Sequence, residues 1–192
     1  MKKKLLLSVI CVMLMSLGIV MSGCGSGETY DAGNVSCAVP DGWKVFTSEE
    51  LFNSSTGDSD EDSASDEDSE DPNSIYIYKD AKETTDILKS NGITILYSDD
   101  KTMGSIDDMK SFYEKVKDQD PLKLDNYEWK CFTGQQFDGD FEYAVLEAID
   151  GDASIQVNVI LKNGDKTISL DDKDVKEIIE SIKITGSGDE AE

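Results

Sequence analysis

The run Tyr127–Leu170, YEWKCFTGQQFDGDFEYAVLEAIDGDASIQVNVILKNGDKTISL, decides the fold. Three dipeptides, Asp138-Gly139, Asp150-Gly151 and Asn163-Gly164, each divide two stretches in which apolar and polar residues alternate. Such pairs accept the positive φ of tight hairpins, and an alternation of period two marks half-buried strands. Strands are therefore expected at 127–137, 141–149, 153–161 and 166–170, joined as an antiparallel meander. Phe141, Tyr143 and Val145 with Ile155, Val157 and Val159 are read as one continuous apolar face. An amphipathic helix over 172–182 offers Val175, Ile178, Ile179 and Ile182 to cover it. The fold class is α+β: an antiparallel β-sheet meander with flanking helices, in one domain.

Upstream, Val35–Val39 and Trp43–Phe46 are strands around Pro40-Asp41-Gly42, where proline presets φ and glycine takes the positive value. Ile75–Tyr78 and Ile93–Tyr97 alternate in the same way, with a short helix expected over 84–90 between them. Ser105 and Asp108 resemble a capping box, and Ile106, Met109, Phe112, Tyr113 and Val116 follow at helical spacing, which reads as a core stripe.

Residues 58–71 hold nine acids among fourteen residues and no aliphatic larger than Ala64. A segment of that composition has nothing to pack, so an acidic disordered insert is expected over 54–73. Asp58, Asp60 and Asp62 begin like a calcium loop, but Ser63 stands at the turn glycine and Ser69 at the closing glutamate. No specific metal site is expected; loose condensation of cations is the reading that remains. Ser98-Asp99-Asp100-Lys101 has the serine and lysine spacing of penicillin-recognising enzymes without their further motifs, and a charged loop is the better account.

The chain has 41 acids, 18 lysines, no arginine and no histidine, for a net charge of −23. The usual general base near neutral pH and the bidentate guanidinium are thus both missing, and with them many catalytic designs. Nucleic acid is excluded as a partner, because binding needs a basic footprint. No enzymatic activity and no cofactor are implied. An anionic membrane face would also repel this chain, so the acidic body is expected to stand off from a bilayer.

The N-terminus supplies an address. Lys2, Lys3 and Lys4 precede an apolar run from Leu5 to Val20 that ends in Met21-Ser22-Gly23-Cys24, and this resembles a bacterial lipoprotein signal. The apolar run is short for a spanning helix, which would be the other reading. The resemblance implies cleavage between Gly23 and Cys24 and a diacylglyceryl thioether, with fatty acyl chains such as palmitate, on Cys24. Residues 1–23 would be the signal peptide, 24–34 a flexible tether, 35–185 the domain and 186–192 a disordered tail. Loss of residues 1–23 removes 3 of the 18 lysines and no acid, so the net charge becomes −26.

Of four cysteines, Cys11 leaves with the signal and Cys24 is the lipid site. Cys37 and Cys131 remain, each in an alternation that turns it inward. They form either a disulfide or two buried free thiols.

The opening Val35–Val45, centred on Val39-Pro40-Asp41-Gly42-Trp43, and the closing Val175–Ile184 resemble the two ends of a PsbP-like domain. That superfamily has an antiparallel sheet flanked by helices and is frequent among bacterial lipoproteins. The resemblance implies a non-enzymatic binding or accessory module, and no functional residue carries over from it. The expected role is that of a lipid-anchored extracytoplasmic protein of the cell envelope, held to the membrane by the lipid on Cys24 and contacting an envelope protein. The alternative is an acidic, cation-responsive (calcium-binding) surface protein acting through residues 58–71.

Overall fold

The computed structural model describes residues 27–53, 73–101 and 105–186. Residues 1–26, the insert 54–72 and the tail 187–192 lie outside the described residues, and with them Gly23, Cys24 and the acids of 58–71.

A small sheet has the order β1-β2-β11, from Glu28–Asp31 (β1), Val35–Val39 (β2) and Lys183–Ile184 (β11). The strand β1 lies within the stretch read as a tether, and it pairs with β2 from Glu28 opposite Val39 to Asp31 opposite Ser36. The large sheet has the order β3-β4-β5-β9-β8-β7-β6. Its strands are Trp43–Phe46 (β3), Ser74–Lys79 (β4), Gly92–Ser98 (β5), Glu114–Lys123 (β6), Glu128–Gln136 (β7), Phe141–Asp150 (β8) and Ala153–Asn163 (β9), with the two-residue β10, Lys166–Thr167, beside β9. Every pairing is antiparallel. The meander is thus present, extended by β6 and bordered by β5, which pairs with residues 154–159 of β9.

The hairpins between β8 and β9 and between β9 and β10 are two-residue loops in which glycine alone turns left-handed, Gly151 at φ 64° and Gly164 at φ 59°. The β7–β8 turn is harsher. Phe137, Asp138 and Gly139 all have positive φ there, at 52°, 56° and 92°.

The main core lies between the two sheets. It is closed by the helix α3, Lys173–Ser181, whose Val175, Ile178 and Ile179 are fully buried, as is Ile182 just beyond it. Helix α1 is Ser48–Asn53, and Thr84–Lys89 forms a 3-10 helix where a short helix was expected. The meander face differs from its reading. Ala144, Leu146 and Ala148 of β8 oppose Val159, Val157 and Ile155 on the main-core side, whereas Val145 points to the other face. β8 is buried on both sides, so alternation of size did not mark which side was core.

The second face carries a smaller cluster of Ile106, Phe132 and Val145, with Met109, Tyr113 and Val116 against it. The expected helix through Val116 is only one turn, Ile106–Met109 (α2), followed by a 3-10 turn Lys110–Phe112. Ser105 caps it, its Oγ accepting from Asp108 N at 3.4 Å. The chain then enters β6, where the edge of β7 offers a full row of backbone partners that a helix would leave empty. Tyr113 fits because Gly134 lies beneath it; a Cβ there would come within 2.7 Å of the Tyr113 Cβ. Phe112, expected in the core, is instead 68% exposed.

β6 is a free edge of ten residues, mostly exposed. Its pairing to β7 breaks register twice, between Glu114 and Lys117 and between Gln119 and Leu122.

Candidate functional site

The second face of the large sheet is the candidate binding surface. Strand register sets one row across it: Phe46 opposite Tyr76, then Thr94, Asn158, Val145 and Phe132. Both ends of this row are covered, with Phe46 1% exposed and Val145 and Phe132 fully buried. Between them Tyr76, Thr94 and Asn158 are half-buried. Adjacent rows add Tyr78, Leu96, Gln156 and Tyr143, also half-buried. The result is a shallow trough of tyrosines, amides, one threonine and Leu96 between two apolar shoulders.

Each side chain is held by its neighbours. Gln156 Nε2 donates to Asn158 Oδ1 at 3.3 Å. Tyr78 meets Phe46 edge-on with ring centroids 5.9 Å apart, and it lies over Gly92, where a Cβ would approach Tyr78 Cδ1 to 2.5 Å. Tyr143 stacks with Phe141 at 6.2 Å and meets Tyr113 edge-on at 5.5 Å. Burial raises the hydroxyl pKa of Tyr78 and of Tyr143, so both stay protonated donors. Rigid aromatic bodies with polar tips are the residue types enriched at protein contact surfaces. The sequence signal for it is the isoleucine and tyrosine alternation at 75–78, which marks a half-buried strand without showing what flanks its polar side.

Beside the trough, α2, β6 and β7 frame a cavity of about 240 Å³ that includes Lys110, Asp118, Lys130 and Cys131. Lys110 Nζ bridges Asp107 at 2.8 Å and Asp118 at 2.6 Å, and these carboxylates raise its pKa. Glu147, 5% exposed, accepts from Ile106 N at 3.1 Å and stands 3.5 Å from Lys130 Nζ. These charges are paired with one another, and the arrangement reads as the fastening of α2 to the sheet.

Of the two readings left open for Cys37 and Cys131, the structure has two buried free thiols. They sit in different sheets: Cys37 opposite Tyr30 in the central strand of the small one, Cys131 between Gln119 and Leu146 in the large one. Burial pushes the Cys37 thiol up to about 12 and the Cys131 thiol to about 11, which leaves neither as a nucleophile near neutral pH. Trp43, 7% exposed, belongs to the main core.

Ser98 and Lys101 are not brought together. Ser98 Oγ donates to Asp100 O at 3.2 Å, while Lys101 Nζ pairs with Asp152 Oδ1 at 2.6 Å, a contact that raises the lysine pKa and keeps it protonated. Among the described residues no three His, Cys, Asp or Glu side chains are grouped to hold a metal ion, and no helix is long and apolar enough to cross a membrane.

No family model matches the chain, and no curated protein does. Two solved structures are similar in layout. A Bacteroides thetaiotaomicron protein is 13% identical, with a TM-score of 0.44 over 83% of this chain; the chain spans 48% of that protein's length. The solution structure of cyanobacterial PsbP (CyanoP) from Synechocystis sp. PCC 6803 is 9% identical, with a TM-score of 0.44 over 85% of this chain and 98% of that one. These distant likenesses concern the course of the backbone and nothing of activity.

Proposed function

We propose that this is a lipid-anchored extracytoplasmic protein of the bacterial envelope that binds another envelope protein through the trough and performs no catalysis. The observation that supports it most directly is the row Tyr76, Thr94 and Asn158, half-exposed on a rigid sheet between covered shoulders. The missing arginine and histidine favour binding over catalysis, and the resemblance of residues 1–24 to a lipoprotein signal favours attachment through Cys24.

Two measurements test the two halves. Intact-mass spectrometry on detergent-extracted protein is expected to give a chain beginning at Cys24 with added acyl mass, absent from Cys24→Ser; an uncut wild-type chain would refute the anchor. Photo-cross-linking in membranes from a probe at Asn158 is expected to give one discrete adduct that Tyr76→Ala abolishes. Products indistinguishable from those of a probe at Lys166, outside the trough, would refute the binding surface.

A further inference from the structure

The connections at one end of the large sheet share two features, exposed apolar tips and left-handed backbone. Leu88, Phe137 and Phe112 are the most exposed large apolar residues described, at 79%, 71% and 68%. All three stand on this end. Asn163 Nδ2 donates to Leu88 O at 3.2 Å, and Gly164 N, next in sequence, donates to Asp140 O at 3.2 Å. Asp140 N in turn donates to Phe137 O at 3.1 Å, and Gln136 Nε2 donates to Phe112 O at 3.2 Å. The tips therefore belong to one hydrogen-bonded rim.

The backbone of this rim is strained. Among the described residues, the four non-glycine residues with positive φ, Asp80, Lys115, Phe137 and Asp138, all lie on it. Left-handed φ at a bulky residue persists only where its surroundings impose it, and here it presents Phe137 to solvent.

The start of the described chain is at the same end. Gly27 packs against Val39 and Pro40, so closely that a Cβ would meet Val39 O, and Pro40 leads through the turn into Trp43 at the rim. Cys24 is three residues away, a reach of about 10 Å at most. Charges of both signs stand around the tips: Asp86 and Lys89 lie on either side of Leu88 in sequence, Asp138 and Asp140 stand beside Phe137, and Lys115 and Lys162 reach Gly139. The nine acids of 58–71 join the fold between α1 and β4, at the opposite end, where Ser74 pairs with Leu96 and Asn73 O accepts from Tyr97 N.

We infer that this rim is a bilayer-docking surface: Leu88, Phe112 and Phe137 enter the lipid headgroup and acyl boundary, holding the large sheet end-on to the membrane. The occupant is a lipid surface because the rim combines isolated apolar tips, charges of both signs and a lipid attachment within reach. In the same orientation the described residues that flank the acidic segment, Asn53 and Asn73, lie at the end away from the lipid. This inference rests on the proposed anchor at Cys24 and adds an orientation to it.

Tryptophan quenching tests it on the full chain reconstituted in vesicles of acyl-brominated phosphatidylcholine. Phe137→Trp and Leu88→Trp place the probe on the rim. Ile149→Trp places it at the opposite end, beside the β8–β9 loop, where Ile149 is 43% exposed. The native Trp43 and Trp129 are buried, and their signal is subtracted from the wild type. The rim probes are expected to lose about half of their added emission and the Ile149 probe none, since docked side chains sit at the boundary with the acyl chains. Rim probes quenched no more than the Ile149 probe would overturn the inference. The intact mass of the same sample separates the two ideas: an acylated chain with unquenched rim probes refutes the docking surface alone. A chain found unacylated refutes the anchor, and quenching on added vesicles then decides the rim by itself.

Discussion

Gly92 shows how one missing methyl shapes the trough. Tyr78 lies over it because no side chain stands between the ring and the backbone of β5. Gly92→Ala should force the ring aside and cost about 1–3 kcal/mol in urea denaturation, the usual penalty for overpacking. Cys37 is the second telling residue. The core prefers its protonated form, and its folded pKa of about 12 lies above the ordinary 9.0. Its contribution is therefore fully present below pH 9 and lost as pH rises towards 12. Unfolding free energy should fall with pH across that window, and more gently in Cys37→Ala. A thiol reagent at pH 7 should modify Cys37 only after denaturation.

Among the elements, α2 is the one whose sequence misled. Of the expected stripe, Ile106, Met109, Tyr113 and Val116 do meet in one cluster and Phe112 does not, and periodicity says helix where the chain makes one turn and then a strand. Spacing along the chain cannot reveal that the edge of β7 is vacant, and that edge decides the conformation of 114–123. The same blindness affected β8, which alternates between two buried faces. By contrast, the hairpin positions and α3 were legible, because Gly151, Gly164 and the stripe Val175, Ile178, Ile179 act locally. The trough was half legible in its tyrosine alternation; its shoulders depend on which distant segments roof the sheet. Glu147 ties α2 down across 41 residues of sequence. Glu147→Ala should leave Ile106 N without its acceptor, cost about 1–3 kcal/mol, and speed hydrogen exchange over 105–113 before the sheet is affected.

At the scale of the whole molecule, a net charge of −23, set against seven ion pairs among the described residues, means that the fold works against its own repulsion. Salt shortens the range of that repulsion to about 10 Å at 0.1 M. The melting temperature should therefore rise between 10 mM and 500 mM sodium chloride, the reverse of what a fold held by surface ion pairs would show. Differential scanning calorimetry across that series checks the sign.

Under the proposed lipid anchor, the broken register of β6 bears on how many of these molecules can share a membrane surface. An unbroken ten-residue edge would template its own copy, and molecules confined to two dimensions collide far more often than in dilute solution. Two bulges, Pro121 and the charges along the strand leave no straight row of amides for a neighbour to match. Dense lateral crowding is thus compatible with the fold staying dispersed, each copy free to turn its trough towards something other than itself.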